Sequence, residues 1–155
     1  MNQELEAKID AMIEERTTKA LLWPLMKYAA PIIAGKPCLV QRQQLKGVDG
    51  GLATVNMKGT PVVSLSPALI DYGERELVRV YLHELAHVKL HSHTFARSNA
   101  DIDPPEYKPH LVNTTQEDQA DNQTAEWLAY GETNRNFKDP YALGVIYALI
   151  NKYQQ

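Results

Sequence analysis

Residues 83–87 read His83-Glu84-Leu85-Ala86-His87, an H-E-x-x-H pentapeptide. Residues four apart on a helix are neighbours, with Cβ atoms about 5–6 Å apart. Two imidazoles at that spacing can converge on one zinc ion, at Zn–N distances of about 2.0–2.1 Å. Glu84 lies about 100° around the helix from His83, where its carboxylate reaches a water beside the ion more easily than the ion itself. Two ligands and a base in this order predict the site of a zinc-dependent hydrolase.

The pentapeptide needs support from its context, because a chain with five His and eleven Glu contains it by chance in roughly one case in a hundred. The alternative is an ordinary amphipathic helix with two surface histidines. The neighbouring residues favour the metal site, because they are apolar around much of the helix circumference, as in a buried helix. These residues are Leu82, Leu85, Ala86, Val88 and Leu90. Buried imidazoles and carboxylates without partners are costly, and a shared metal ion provides a partner.

The composition predicts one globular domain, with 155 residues of which 44% are hydrophobic and 23% charged. The net charge of −3 argues against direct nucleic-acid binding. Cys38 is the only cysteine, so no intrachain disulfide can form, and it is expected to be a small buried hydrophobe. The acidic, polar N-terminus is unlike a signal peptide, and no apolar run reaches the roughly 18–20 residues that span a bilayer. We therefore expect a soluble cytoplasmic protein without a membrane segment.

The predicted fold class is α+β, in one domain over residues 1–155. Five segments are expected: an N-terminal helical segment at 1–35, a β-meander at 37–66, the metal helix at 74–91, a loop at 92–114 and C-terminal helices at 115–153. Four apolar residues at helical spacing indicate the first helix. They are Leu5, Ile9, Met12 and Ile13. Pro24 and Pro31 are expected to interrupt or end this helix.

Turn residues divide the segment 37–66 into three short strands. The cluster Gly47-Val48-Asp49-Gly50-Gly51 separates the first strand from the second, and Lys58-Gly59 separates the second from Pro61-Val62-Val63-Ser64-Leu65. Connections this short favour antiparallel neighbours. The sequence therefore predicts a three-stranded antiparallel meander.

Capping residues predict where the later helices begin and end. Asp71 with Glu74 three residues later resembles a capping box at the start of the metal helix. Gly131 is a plausible C-cap for the helix that begins near residue 115. Asp139 is expected to be the N-cap of the last helix, with Pro140 at its first helical position.

A catalytic zinc site takes three protein ligands and leaves one position open for water, and four residues compete for the third place. His91 lies about 12 Å along the helix from His83 and can share the ion only if the helix breaks first. His93 stands where the metzincin pattern has its third histidine, but Leu90 replaces the glycine that turns the chain back. Otherwise His91 and His93 are expected to be solvated residues at a helix end. His110, in the loop, fits better as a hydrogen-bond donor to the transition state.

Glu117 is the strongest of the four candidates. The spacing from Glu117 to Asp121 puts both carboxylates on one face of a second helix that can pack across the first. Glu117 can then bind the metal while Asp121 accepts a ring N–H from a ligand histidine and fixes its tautomer. The structural alternative is that Thr114 and Glu117 form a capping box.

Two segments together resemble the ImmA/IrrE family of metallopeptidases. Residues 61–91, PVVSLSPALIDYGERELVRVYLHELAHVKLH, are similar to the family's short strand that leads into a helix with H-E-[LI]-[GA]-H. Glu117-x-x-Ala120-Asp121-x-x-Thr124-Ala125 is similar to the family segment E-x-x-A-[ND]-x-F-A, whose glutamate completes the zinc site. The resemblance covers roughly residues 61–128 and departs from the family at Gln123, where an aromatic residue is usual. It implies a zincin-like fold with Glu117 as the third ligand.

The resemblance also implies a function: a zinc-dependent endopeptidase that cuts a DNA-binding repressor or related regulator of a mobile element or stress response. In this interpretation Glu84 is the catalytic base, and the metal is zinc, although Mn, Fe or Co also suit such ligands. The oxyanion donor stays open among His110, Tyr107 and Tyr130. Two other functions stay open as well. One is a zinc-containing antirepressor that sequesters a regulator without cleavage, and the other is a metallohydrolase of small amides.

Overall fold

The computed structural model describes residues 2–45, 50–95 and 114–154, without the side chains of residues 14, 15, 17 and 18. This part of the chain forms four α-helices and three strands. The helices are α1 (Gln3–Ala34), α2 (Glu74–His91), α3 (Thr114–Asn134) and α4 (Tyr141–Tyr153). The strands are β1 (Leu39–Arg42), β2 (Gly51–Val55) and β3 (Pro61–Leu65), and short 3-10 helices at Pro67–Tyr72 and Ser92–Thr94 flank α2. The predicted α+β class is confirmed.

α1 is one continuous helix that passes through both of its prolines. It begins after Asn2, whose side chain accepts a hydrogen bond from the Glu4 amide at 2.8 Å, and ends before Gly35, which has a φ of 74°. The prediction that Pro24 and Pro31 interrupt or end this helix is therefore wrong. A proline in a helix interior costs about 3 kcal/mol, and burial of the second half of α1 offsets that cost. The buried residues include Leu22, Trp23, Met26, Ala29, Ala30 and Ile33.

The first half of α1 lies outside the core. Burial begins at Leu22, and every described side chain before it is exposed. The apolar residues whose spacing predicted the helix are 41–58% exposed. They are Leu5, Ile9, Met12 and Ile13. Their spacing therefore predicted the helix correctly without marking a buried face.

The sheet is mixed, with strand order β1-β3-β2, so the predicted antiparallel meander is wrong. β2 and β3 form the expected antiparallel hairpin, but β1 pairs in parallel with β3 instead of lying beside β2. β3 is the most buried strand, with Val63, Ser64 and Leu65 at 0% exposure. A strand buried on both faces belongs at the centre of a sheet, and this explains why β3 lies between the other two.

The starts of α2 and α4 differ from the predicted caps. Gly73, at φ 101° and ψ 160°, precedes α2, and Asp71 lies in the 3-10 helix and makes no cap there. The Glu74 carboxylate instead accepts a hydrogen bond from the backbone amide of Ala142 at 3.2 Å. α4 begins at Tyr141, with Pro140 just before it and no side-chain cap from Asp139. A glutamate at the start of α2 thus caps the start of α4.

Gly131 allows α3 and α4 to pack closely. α3 continues past Gly131 to Asn134, so the predicted C-cap is wrong. A Cβ atom at residue 131 would lie 2.7 Å from Val145 Cγ1, and the glycine is therefore needed for the contact between the two helices. Ala120, Thr124 and Trp127 on α3 are buried. Among the described helices, none is long and apolar enough to cross a membrane.

Candidate metal centre

The helix that carries the pentapeptide lies at the centre of the molecule. α2 contacts α1, α3, α4 and the strands β2 and β3. Four of its five apolar residues near the pentapeptide are fully buried, namely Leu82, Leu85, Ala86 and Val88. Leu90 is the exception, at 37% exposure. The side chains of His83 and His87 are only 16% and 11% exposed, and this excludes the alternative of two surface histidines.

The crossing of α2 and α3 brings together the three side chains predicted to hold a metal. His83 Nε2 lies 3.0 Å from Glu117 Oε2, and His87 Nε2 lies 2.9 Å from Glu117 Oε1. The two Nε2 atoms are 3.2 Å apart. Two imidazole nitrogens and a carboxylate from residues far apart in the sequence therefore point at one another.

The donor atoms fit the size and chemistry of a zinc site. Ligands at about 2.0–2.1 Å from a tetrahedral zinc ion are about 3.3–3.4 Å from each other. The separation of 3.2 Å between the Nε2 atoms of His83 and His87 is close to this value, and the separations of 3.0 and 2.9 Å from Glu117 to the rings are shorter, so the carboxylate would move outward by a few tenths of an ångström to admit an ion. Two histidines and one glutamate are also a known ligand set of catalytic zinc. The capping box proposed for Thr114 and Glu117 does not explain why the Glu117 carboxylate faces both rings.

Glu84 is nearly enclosed beside the two histidines. It is 7% exposed, and burial, followed by the negative charge of Glu117, raises its pKa from 4.5 to about 8. Donor atoms of His83, Glu84 and His87 lie within 4.8 Å of one another, so Glu84 is a rival ligand. Glu117 contacts both rings, at 2.9 and 3.0 Å, and is the better placed of the two carboxylates to share an ion with them.

β2 forms the wall against which Glu84 packs. A Cβ atom at Gly51, the first residue of β2, would lie 2.8 Å from Glu84 Cγ and 2.9 Å from Val80 Cγ1. The missing side chain at residue 51 therefore provides the space that Glu84 occupies. In the sequence Gly51 belongs to a turn cluster, and no local pattern indicates this contact.

Asp121 lies beside His83, as its spacing predicts, although the contact is not a well-aligned hydrogen bond. Asp121 Oδ1 is 3.1 Å from His83 Nδ1. By angle, however, His83 Nδ1 has no hydrogen-bond partner among the described residues. The Asp121 side chain is 63% exposed, so a small rotation can bring it into line.

His91 is buried, and the prediction that it is a solvated helix-end residue is wrong. It is 5% exposed, with Nδ1 3.2 Å from His87 Nδ1 and Nε2 2.7 Å from Gln119 Oε1. The contact between His87 and His91 could have been predicted from their spacing, because residues four apart share a helix face. The packing of α3 supplies the rest. His93 is exposed, as expected.

Burial and the Glu117 carboxylate shift the pKa of His87 in opposite directions. Burial lowers its pKa below 6.5, and the Glu117 carboxylate opposes this while the neighbouring His83 and His91 rings add to it. The net lowering favours the neutral ring, which is the form that binds metals.

The remaining predicted residues lie away from the centre or outside the described chain. His110 and Tyr107, both proposed as oxyanion donors, fall outside the described residues, as does most of the loop predicted at 92–114. Tyr130 is 13 residues beyond Glu117, about 20 Å along α3, and its ring lies 4.5 Å from Lys152 Nζ. Tyr130 is therefore too distant to serve as an oxyanion donor. Cys38 is buried, as predicted, and burial raises its pKa to about 12.

Comparison with known proteins identifies no relative of this chain. No family model, curated protein or solved structure matches it. The function must therefore be inferred from the residues of the chain and their geometry.

Proposed function

We propose that this protein is a zinc-dependent endopeptidase of the ImmA/IrrE type, with a zincin-like domain. The observation that carries the proposal is the approach of Glu117 to both histidines, at 3.0 and 2.9 Å, beside the buried Glu84. His83, His87 and Glu117 would hold the ion. When bound there, zinc supplies Lewis-acid activation of water and of a carbonyl group.

Glu84 moves the proton in the proposed reaction. Its carboxylate accepts a proton from the attacking water and later delivers that proton to the amine that leaves. Burial raises the pKa of Glu84 to about 8 in the protein alone, and positive charge close to a carboxylate lowers its pKa. A bound ion would therefore move the pKa of Glu84 back down from about 8, and a pKa near neutral pH suits a group that both accepts and releases a proton.

The outer edge of β2 is a suitable place for an extended peptide. Within the described sheet β2 pairs with β3 alone, so its other edge offers backbone donors and acceptors. Gly51 at the start of this strand touches Glu84, so a peptide added along β2 would pass the base. Strand addition is a common mode of peptide recognition, and it supports an endopeptidase over a hydrolase of small amides.

The substrate class follows from the resemblance to the family. We propose a DNA-binding repressor or related regulator, cleaved in the cytoplasm without direct contact between this protein and nucleic acid. The net charge of −3 supports the last point. An antirepressor that only sequesters its partner is the second candidate, but a pure binder does not need the base, and Glu84 is present and buried beside the histidines.

The test is to map new protein N-termini by mass spectrometry in cells that express the protein or its Glu84→Gln variant. The proposal predicts discrete cleavage products in one regulator, absent with Glu84→Gln, while zinc content is the same in both. Glu126→Gln is the matched control, because Glu126 is an exposed glutamate on α3, and it should leave the products unchanged. An intact regulator in stable complex with both zinc-loaded proteins would instead establish the antirepressor.

A further inference from the structure

Two polar side chains continue the contacts of His87 on the side of the ring away from Glu117. His91 Nδ1 lies 3.2 Å from His87 Nδ1, and Gln119 Oε1 lies 2.7 Å from His91 Nε2. The three side chains form an unbroken row from α2 to α3 that begins at a proposed zinc ligand. The proposed reaction uses neither His91 nor Gln119.

We infer that His91 and Gln119 are positioning residues that hold His87 in the one tautomer able to bind zinc through Nε2. The inference rests on the zinc site proposed above and concerns how that site is kept ready. We call the row His87–His91–Gln119 the imidazole relay.

The direction of each hydrogen bond in the relay follows from the donors and acceptors present. A neutral imidazole that binds metal through Nε2 carries its proton on Nδ1. For His87, that N–H faces His91 Nδ1, which must then be the bare acceptor. His91 consequently carries its own proton on Nε2 and donates it to Gln119 Oε1, an oxygen that only accepts.

The orientation of the Gln119 amide therefore favours one of the two tautomers of His87. With the amide turned over, its NH₂ would donate to His91 Nε2, and His91 Nδ1–H would donate to His87 Nδ1. The proton of His87 would then lie on Nε2, the atom that faces His83 and Glu117. The structure has the carbonyl oxygen towards His91, and this is the orientation that leaves Nε2 of His87 free to bind.

Residues that hydrogen-bond to a ligand histidine raise the affinity of the site for its metal without contacting the metal themselves. Groups that accept the second N–H of a ligand histidine fix its orientation and increase its basicity, and their loss typically costs about 10–100-fold in metal affinity. In this chain the acceptor is a second imidazole, and a glutamine amide sets the direction of its proton. The His91 ring is 5% exposed, so water does not readily replace it.

The direct test is nitrogen NMR of the zinc-loaded protein labelled with ¹⁵N-histidine. The relay predicts that the proton of His91 lies on Nε2 and that the proton of His87 lies on Nδ1. A His91 proton on Nδ1 would overturn the relay. If zinc does not bind, the relay and the proposed function are both wrong. A zinc-loaded, active protein with the His91 proton on Nδ1 would contradict the relay alone.

A second test compares zinc affinities by chelator competition in two variants that add the same charge. Gln119→Glu places a charged acceptor at the end of the relay, and we expect zinc to bind several-fold more tightly, because charge-assisted hydrogen bonds are stronger. Gln123→Glu is the matched control on the same helix, where Gln123 Oε1 contacts Lys89 Nζ at 3.0 Å. An equal gain in both variants, or no gain in Gln119→Glu, would overturn the relay.

A third variant separates a structural role from a positioning role. Gln119 is exposed but accepts a hydrogen bond from the buried His91, so Gln119→Leu should lower the unfolding midpoint of the zinc-free protein and still allow it to fold. The relay predicts that this variant still loses about 10-fold in zinc affinity, as for other partners of ligand histidines. Unchanged zinc affinity would mean that Gln119 merely satisfies a buried histidine.

Discussion

At the scale of single residues, the proposed site depends most on Glu117, which contacts both histidines. Its two carboxylate oxygens each face one imidazole ring, at 3.0 Å from His83 and 2.9 Å from His87. A carboxylate in that position neutralises part of the charge of a divalent ion, and an amide of the same shape cannot. The contribution of Glu117 can therefore be measured with little change in shape.

We predict that Glu117→Gln weakens zinc binding by more than about 100-fold, beyond the loss typical of residues that touch ligands indirectly. The measurement is chelator competition on purified protein, with metal content checked by mass spectrometry. Glu126→Gln removes an equivalent charge from the same helix and should leave the affinity unchanged. An unaltered affinity in Glu117→Gln would exclude this residue as a ligand.

The raised pKa of Glu84 predicts how the stability of the zinc-free protein depends on pH. Its pKa is 4.5 when unfolded and about 8 in the fold, so between these values the folded state binds a proton that the unfolded state releases. The free energy of unfolding therefore falls as pH rises from 4.5 to 8, by at most about 5 kcal/mol. Denaturant unfolding at pH 5 and pH 8 in the presence of a chelator measures the fall. In Glu84→Gln the difference in unfolding free energy between pH 5 and pH 8 should be smaller. An unchanged difference would contradict the raised pKa of Glu84.

How far the sequence predicted these residues depends on what positions each one. The convergence of His83, His87 and Glu117 was predicted, because helical spacing sets the first two and motif resemblance the third. The burial of His91 was not predicted, because histidines at helix ends are usually solvated. No local sequence pattern indicates that α3 covers His91. Gly51 was also missed, because its contact with Glu84 arises only when β2 packs on α2.

At the scale of elements, the close contact of α3 and α4 depends on a glycine. Gly131→Ala adds a methyl group 2.7 Å from Val145 Cγ1 and 3.3 Å from the Val145 carbonyl oxygen. Alanine in a helix interior normally stabilises by up to about 1 kcal/mol relative to glycine, but here we expect a net loss of about 1–3 kcal/mol from overpacking.

Thermal and denaturant unfolding of Gly131→Ala measure this loss. The double variant Gly131→Ala/Val145→Ala is the control, because it removes the Cγ1 atom that the new methyl group meets. The second change should cost less in the Gly131→Ala background than in the parent protein. Equal costs in the two backgrounds would show that the two residues do not compete for space.

The wrong predictions of elements share one cause, which is that local signals were overridden by burial. Pro24 and Pro31 normally end helices, but α1 continues because its second half is packed in the core. Short turns favoured a meander, but β3 takes the centre of the sheet because it is the most buried strand. The first helix was predicted correctly from periodicity and the strands from the turn residues that bound them, whereas helix ends and strand neighbours depended on tertiary contacts.

At the scale of the whole molecule, the core and the candidate site lie in the part of the chain that follows residue 21. The described side chains of residues 2–21 are exposed, whereas Met26 in the same helix is fully buried. We predict that removing residues 2–18 leaves both zinc affinity and the unfolding midpoint unchanged. Met26→Ala, by contrast, should destabilise the protein by about 2–5 kcal/mol. A comparable loss on truncation would show that the first half of α1 supports the fold.

The central claim is that one metal ion joins α2 to α3 through His83, His87 and Glu117. The most direct measurement is a crystal structure of the zinc-loaded protein, with anomalous diffraction data collected on both sides of the zinc absorption edge. We predict a single strong anomalous peak within about 2.0–2.2 Å of both histidine Nε2 atoms and a Glu117 oxygen. The absence of that peak under excess zinc, or a peak held by other residues with Glu117 turned to solvent, would contradict the claim.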